Sequence, residues 1–347
     1  MKALTSQSDL AGLLKSVSRA ISSKPSHPIL AGIYFIASDD KLTATAYDLE
    51  LGIISSIPAS VQSNGSTVVP YRTLADIISR MDPFAAIQLT VEGNQFKLTS
   101  TNGSYSLACD DPTDYPELPI VDAIGESVDL TPLSAVLPSA STDPSKQILC
   151  GVHFICTDDH LQLEATDGHR LSVISTPFTI PLDVVIPIKC LTLAKQPSLT
   201  IAVDKAHVAF NINDTTIISR ILEGEFPAVQ SLIPPTFSHT ATINRSQLLS
   251  AIERIAVIGH DVVKLNASAS QLNITAEFDA NSGIESIPIA GTLPPLGLNP
   301  NYLADGLRAF SSDTITISAN TSTSPITLTN PDVTSQTYLI MPIQIRT

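Results

Sequence analysis

The chain has 347 residues, 43% of them hydrophobic, with 33 acidic side chains against 19 basic ones and a net charge of −14. That is enough apolar material for more than one core, and the length suggests two or three domains. No apolar run reaches the roughly 18 residues of a membrane span, and MKALTSQSDLAGLL is broken by polar residues too early for a secretory signal, so the expected compartment is the cytoplasm and no membrane partner is expected.

The first predicted element is a helix over 6–21, with Leu10, Leu13, Leu14, Val17 and Ile21 on one face and a Ser6-x-x-Asp9 capping box at its start. Alternating residues at 29–48 predict a β-hairpin, and PYRTLADIISRM (70–81) predicts a second helix. LTPLSAVLPSAST (130–142) predicts a shorter one, begun by Thr131-Pro132 and limited by Pro138. A hairpin at 148–167 and a helix at 188–196 follow. Then come a helix at 244–258 with Asn244 as its N-cap, a hairpin at 259–278 and a helix at 299–310. Thr-, Ile- and Val-rich stretches such as QLTVEGNQFKLTST, LTIAVDKAHVAFNI and TITISANTSTSPITLT predict further short strands.

These elements repeat. ILAGIYFIASDDKLTATAYD (29–48) and ILCGVHFICTDDHLQLEATD (148–167) match at ten of twenty positions without a gap, from Ile29/Ile148 through Asp39/Asp158 and Asp40/Asp159 to Asp48/Asp167. GHDVVKLNASASQLNITAEF (259–278) is a fainter third copy, keeping Leu42/Leu272, Thr45/Thr275 and Ala46/Ala276. The expected architecture is therefore α+β: three repeated domains at 1–124, 125–238 and 239–347, each with two helices packed on antiparallel sheets.

The four cysteines form no C-x-x-C pair and no H-E-x-x-H is present, so neither a metal site nor any other cofactor is expected. The bulk charge argues against nucleic acid as a partner, but the charge is not evenly distributed. The six predicted helices carry nine Lys and Arg against four Asp and Glu, which leaves ten basic and twenty-nine acidic residues for the rest of the chain. A basic helical surface would attract phosphates without reading sequence.

EATDGHRL (164–171) places Asp167, His169 and Arg170 around Gly168, and it is open to a catalytic or a structural reading. With HPILAGI in the first hairpin, ILEGEFP (221–227), YLIMP (338–342) and the tripled domain, it resembles the bacterial DNA polymerase III beta subunit family, the sliding clamps, across essentially the whole chain. The resemblance implies half of a ring: a head-to-tail homodimer that encircles duplex DNA without reading its sequence and catalyses nothing. It implies tethering of the DNA polymerase III catalytic subunit, the clamp loader, and other polymerases and repair proteins through short hydrophobic peptides.

By that resemblance the peptide groove comprises Leu149, Thr166, Gly168, His169, Arg170, Leu171, Pro227 and Leu232 of the second domain. The third domain adds Asn299, Tyr302, Pro325, Leu339, Met341 and Pro342. DNA contacts would come from Lys15, Arg19, Lys24, Arg72, Arg80, Lys146, Lys189, Lys195, Arg245 and Arg254. The ring would close through Tyr105 and Leu107 of one subunit against Val257 and Ile258 of the other. The chain departs from the family's pattern at Gln344, where an Arg is usual, and in the IRT tail that follows residue 344.

Two other readings use the same residues. A hydrolase built on Asp167 and His169 would need a nucleophile and an orienting partner, yet Asp167 has a repeat counterpart, Asp48, in a copy that lacks both the His and the Arg, and no G-x-S-x-G occurs. A β-rich adhesive repeat protein fits the Thr and Ser content but not the basic amphipathic helices or the absence of a signal sequence.

Overall fold

In the computed structural model of the chain, residues 1–22, 24–121, 125–157, 160–177, 181–259, 261–268, 270–330 and 333–345 are described. Asp158 and Asp159 of the second repeat, His260 and Ala269 of the third, and Arg346 and Thr347 lie outside them. The chain forms two compact units, residues 1–129 with 196–221, and residues 130–195 with 222–347.

In the first unit, α1 (Gln7–Val17) begins as its capping box predicts: Ser6 Oγ accepts from the Asp9 N–H at 3.0 Å and donates to the Asp9 carboxylate at 2.6 Å. α1 buries Leu10, Leu13, Leu14 and Val17, and its Gln7 amide donates 2.7 Å to the Ile78 carbonyl at the end of α2 (Tyr71–Ile78). Two antiparallel sheets complete the unit. One has five strands in the order Ser60–Ser63, Lys2–Ser6, Ala86–Glu92, Gln95–Ser100, Gly103–Ala108. The other has eight, in the order Glu126–Val128, Leu199–Val203, His207–Ile212, Thr215–Arg220, Leu51–Pro58, Lys41–Tyr47, Gly32–Ser38, Gly65–Pro70. Phe35 and Phe96, one from each sheet and both fully buried, stack with ring centroids 6.2 Å apart. The first predicted hairpin is formed, and its Asp39-Asp40 turn takes positive φ at both residues (50° and 55°), as a two-residue turn matched to strand twist requires.

The second unit holds α3 (Leu133–Val136), α4 (Ile188–Ala194), α5 (Arg245–Ile255) and α6 (Pro300–Arg308). Its single sheet has twelve strands, in the order Asp183–Pro187, Gly151–Thr157, His160–Thr166, Arg170–Thr176, Val333–Ile340, Ile326–Asn330, Thr314–Ala319, His239–Asn244, Asn281–Gly291, Gln271–Phe278, Val263–Ser268, Leu296–Leu298. The second and third predicted hairpins are both present. Asn244 caps α5 as predicted, accepting from the Gln247 N–H at 2.9 Å. The helix predicted over 130–142 is reduced to the single turn of α3 and a 3-10 turn at Leu137–Ser139. Pro132 rather than Thr131 precedes its first residue, without a side-chain cap, and Pro138 lacks the N–H that a continuing helix needs.

One buried polar node pins this sheet. His153 donates to Glu164 at 3.0 Å and to Asp183 at 2.9 Å, and Glu164 also accepts from Gln230 at 2.7 Å. Burial pulls the imidazole pKa down, but the hydrogen bonds and charges of Glu164 and Asp183 outweigh it and hold it above its ordinary 6.5. For Glu164 burial acts upward, and the bonds from His153 and Gln230 more than offset it, leaving its pKa below 4.5. The His153 contribution is fully present below pH 6.5 and is lost as pH rises through the raised value. The Glu164 contribution is present above pH 4.5 and is lost as pH falls through the lowered one. A His153→Gln variant should therefore be less stable than the wild type by about 2 kcal/mol near pH 6, with the gap narrowing toward pH 9. Urea midpoints across that range check this; a gap independent of pH would refute it.

Candidate functional site

The Asp167 turn is built the way its repeat partner is. Asp167 Oδ1 accepts from the backbone N–H groups of His169 (2.9 Å) and Arg170 (3.1 Å), and Asp48 Oδ1 accepts from Glu50 (3.0 Å) and Leu51 (2.7 Å). The residue after the aspartate is left-handed in both, with φ of 75° at Leu49 and 92° at Gly168. The glycine removes a steric cost of about 1–2 kcal/mol that the leucine carries. Asp167 is thus a turn-forming residue, and its second oxygen is taken by Arg170 Nε at 3.0 Å.

Arg170 is the centre of the site. Its strand, Arg170–Thr176, pairs with Val333–Ile340, with Arg170 opposite Ile340 and Leu171 opposite Leu339. This seam places Nη1 of Arg170 2.7 Å from Asp305 Oδ2 on α6 and 3.4 Å from the Tyr338 hydroxyl, which itself donates 3.0 Å to the Tyr302 carbonyl. The guanidinium carbon lies 4.4 Å from the Tyr302 ring centroid, and His169 stacks at 6.3 Å from the same ring. Burial works against the Arg170 charge, but Tyr338, Asp305 and Asp167 raise its pKa further still. Burial likewise pushes the Tyr338 phenol up.

Most of the predicted groove residues gather around this seam. Met341 donates its backbone N–H to the His169 carbonyl at 2.8 Å and leaves its side chain exposed, with Pro342 after it. Pro325 precedes Ile326, whose register partner is Ile340. Asn299 caps α6, accepting from the Asn301 and Tyr302 N–H groups. Thr166 is buried and donates 2.6 Å to the Arg170 carbonyl. Leu171 and Leu339 are buried in a cluster with Val173, Val185, Phe226 and Val229, against which Leu149 packs half-buried. They form a floor and offer little surface of their own. Pro227 and Leu232 flank that floor as exposed residues. A cleft of about 420 Å³ borders the seam, with Leu137, Pro138, Lys146, His169, Arg170 and Tyr302 in its lining. Sequence reasoning missed Asp305, Tyr338 and Phe226, because nothing local marks a partner 135 residues from Arg170.

The basic residues divide into two groups. Lys15, Arg19, Lys24 and Arg72 in the first unit, and Lys195 in the second, are exposed and form no ion pair among the described residues. Arg80, two residues past the end of α2, pairs with Asp76 at 3.5 Å. Lys146 donates to the Asp167 carbonyl at 2.9 Å, and Lys189 is exposed. Arg245 is turned onto the Ser312 carbonyl at 2.7 Å, and Arg254 is held by both oxygens of Glu285 at 2.6 and 2.8 Å. On α5 and α6 the charge of Arg254 is thus offset by Glu285 and that of Arg308 by Glu253 and Asp305, while Arg245 keeps its charge but is anchored on carbonyls.

The apolar residues predicted at subunit contacts lie beside sheet edges. Gly103–Ala108 is the outer strand of its five-stranded sheet, with Tyr105 exposed and Leu107 half-buried. In the second unit Val257 is 73% exposed, whereas Ile258 packs half-buried against the core. Ile284 and Phe278, on the adjoining hairpin, are also exposed and were not predicted. Residues 281–288 of that hairpin pair with Gln271–Phe278 on one side, while His239–Asn244 reaches only residues 289–291 on the other. Among the described residues no His, Cys, Asp and Glu cluster suits a metal, and no helix is long and apolar enough to cross a membrane.

The tripled α+β domain with antiparallel sheets is the plan of a clamp-class protein. Three family models tile the chain: the DNA polymerase III beta subunit N-terminal domain at residues 1–119, central domain at 132–228 and C-terminal domain at 230–344. The chain belongs to the beta sliding clamp family. It is 34% identical to the beta sliding clamp of Synechocystis over 99% of this chain and 100% of that one, and 33% identical to the clamp of Synechococcus elongatus over all of both. The crystal structure of the Bacillus subtilis DNA polymerase sliding clamp superposes with a TM-score of 0.94 at 27% identity, covering both chains fully. A Pseudomonas aeruginosa clamp solved bound to griselimycin shares the fold, with a TM-score of 0.92 at 21% identity over 99% of this chain and 100% of that one. As a member of this family the chain is a sliding clamp, a non-catalytic accessory subunit of DNA polymerase III.

Proposed function

We propose that two copies of this chain associate head to tail into a ring around duplex DNA and hold replication partners by short hydrophobic peptides. The observation that carries this reading is the strand seam at Arg170–Thr176, which assembles Gly168, His169, Arg170, Tyr302 and Met341 from distant parts of the chain. The arrangement suits a peptide: an apolar floor at Leu171 and Leu339, a flexible thioether at Met341, and a few fixed polar groups to orient a backbone. Partners would be the DNA polymerase III catalytic subunit, the clamp loader, and other polymerases and repair proteins, in the cytoplasm. A clamp of the same fold already takes a ligand, griselimycin.

Ring closure would join the Gly103–Ala108 edge of one subunit, with Tyr105 and Leu107, to the edge at residues 281–288 of the other, with Val257, Ile258 and Ile284 beside it. Lys15, Arg19, Lys24, Arg72 and Lys195 would carry the main contacts to phosphates, with Arg80, Lys146 and Lys189 secondary. Arg245 and Arg254 would contribute least, because Arg245 is anchored on backbone carbonyls and the charge of Arg254 is paired with Glu285.

The test combines assembly with binding. Sedimentation should give a dimer that is retained on nicked circular DNA and released when the circle is cut, and Val257→Asp should give monomers that are not retained. A peptide of the last twenty residues of the host's polymerase III catalytic subunit should bind, and Met341→Ala should weaken it by about tenfold or more. A strictly monomeric wild type would sink the ring, and unchanged peptide affinity in Met341→Ala would sink the groove.

A further inference from the structure

We propose that Asp305 is a positioning residue for the peptide groove, acting through Arg170 to set the Tyr302 ring before any peptide arrives. The inference rests on the groove reading above, and it concerns a residue that need not touch the peptide.

The geometry is that of a clamp on one side chain. Arg170 has its Nε on Asp167, three residues away in the same turn, and this bond alone would follow the turn wherever it moves. The bond from Nη1 to Asp305 is different in kind, because Asp305 belongs to α6 and lies across the seam. It ties the Asp167–Arg170 turn to the helix that carries Tyr302. The Arg170 side chain is only 11% exposed and Asp305 30%, so the pair is better shielded than a surface ion pair, and bonds of this charged kind are strong and directional.

Held from both sides, the guanidinium has its face 4.4 Å from the Tyr302 ring, and the ring's own backbone carbonyl is fixed by the Tyr338 hydroxyl. Tyr302 and His169 are both in the proposed groove, so what Asp305 fixes is the relative placement of a groove wall from the sheet and a groove wall from α6. Without it, Arg170 keeps one carboxylate partner and regains rotamer freedom that peptide binding would have to remove. Freezing one such side chain on binding weakens affinity by roughly three- to tenfold. Arg308 also bonds Asp305, at 3.1 Å, but its other bond runs to Glu253 on α5, and among the described residues it is Arg170 that lies over the Tyr302 ring, which makes Arg308 the natural control.

The experiment measures affinity of the labelled twenty-residue polymerase-tail peptide for the full-length protein and its variants, alongside melting temperature. Asp305→Ala should weaken binding roughly three- to tenfold, Asp305→Glu should recover most of that loss, and Arg308→Gln should leave affinity within about twofold. The decisive comparison is in an Arg170→Gln background, where Asp305→Ala should have no further effect on affinity. If Asp305→Ala binds as the wild type does while Met341→Ala loses binding, the groove stands and the positioning role is overturned. An equal loss in Arg308→Gln, or an additive loss in the Arg170→Gln background, also overturns it. If neither Met341→Ala nor Asp305→Ala changes affinity, the groove reading itself fails.

Discussion

Replacing Arg170 with Leu should destabilise the second unit by about 3 kcal/mol, the cost of leaving buried charge without its partner. Asp167 and Asp305 face the guanidinium with side chains 14% and 30% exposed; Asp305 keeps Arg308 at 3.1 Å when the guanidinium is removed, whereas Asp167 loses its bonded partner and is poorly rehydrated. The low end of the expected range applies because Asp305 is the more open of the two, and Asp167 keeps its backbone bonds to residues 169 and 170. The stranded charge, rather than the lost contact, should dominate. Arg170→Leu combined with Asp167→Asn, which removes the stranded charge and keeps the turn's acceptor oxygen, should therefore be less destabilised than Arg170→Leu alone. Urea denaturation of the three proteins measures this, and a double variant at least as unstable as the single would contradict it.

Gly291→Ala should be the most damaging single methyl in the molecule. Gly291 has φ of 121°, and a Cβ there would lie 2.1 Å from the Thr240 carbonyl oxygen and 2.9 Å from the Ala241 Cα. Both are backbone atoms of a paired strand in the twelve-stranded sheet, opposite Gly291 itself, so no side chain can swing aside. We expect a loss of at least 4 kcal/mol, seen as a fall in melting temperature of about 10 °C or as failure to accumulate folded protein. A variant that melts within a few degrees of the wild type would show that this strand pair can separate at low cost.

Much of the fold was legible because its signals are local. The capping box at Ser6, the Asn244 cap and the three hairpins each depend on residues a few positions apart, and each formed. The repeat between 29–48 and 148–167 also predicted a shared turn at Asp48 and Asp167, which the paired backbone bonds show directly. The helix at 130–142 was over-read because apolar spacing outlasted what Pro138 permits. The helix charge count overstates the available charge on α5 for a different reason. Glu285, which holds Arg254, sits on a strand thirty-one residues away, so a tally by element could not see the pair.

What the sequence determined by itself is the set of elements and their threefold repetition, since hydrophobic period and turn chemistry act over a few residues. Only the tertiary structure decided which side chains gather at the Arg170 seam. Arg170 meets Asp305 and Tyr302 because the strand Arg170–Thr176, paired with His160–Thr166 on one side, takes Val333–Ile340 as its neighbour on the other, and strand pairing between distant segments leaves no local trace in sequence. The same long-range pairing buries Leu171 and Leu339 as a floor, while His169 and Met341 lie one residue beyond the ends of the two paired strands and stay at the surface.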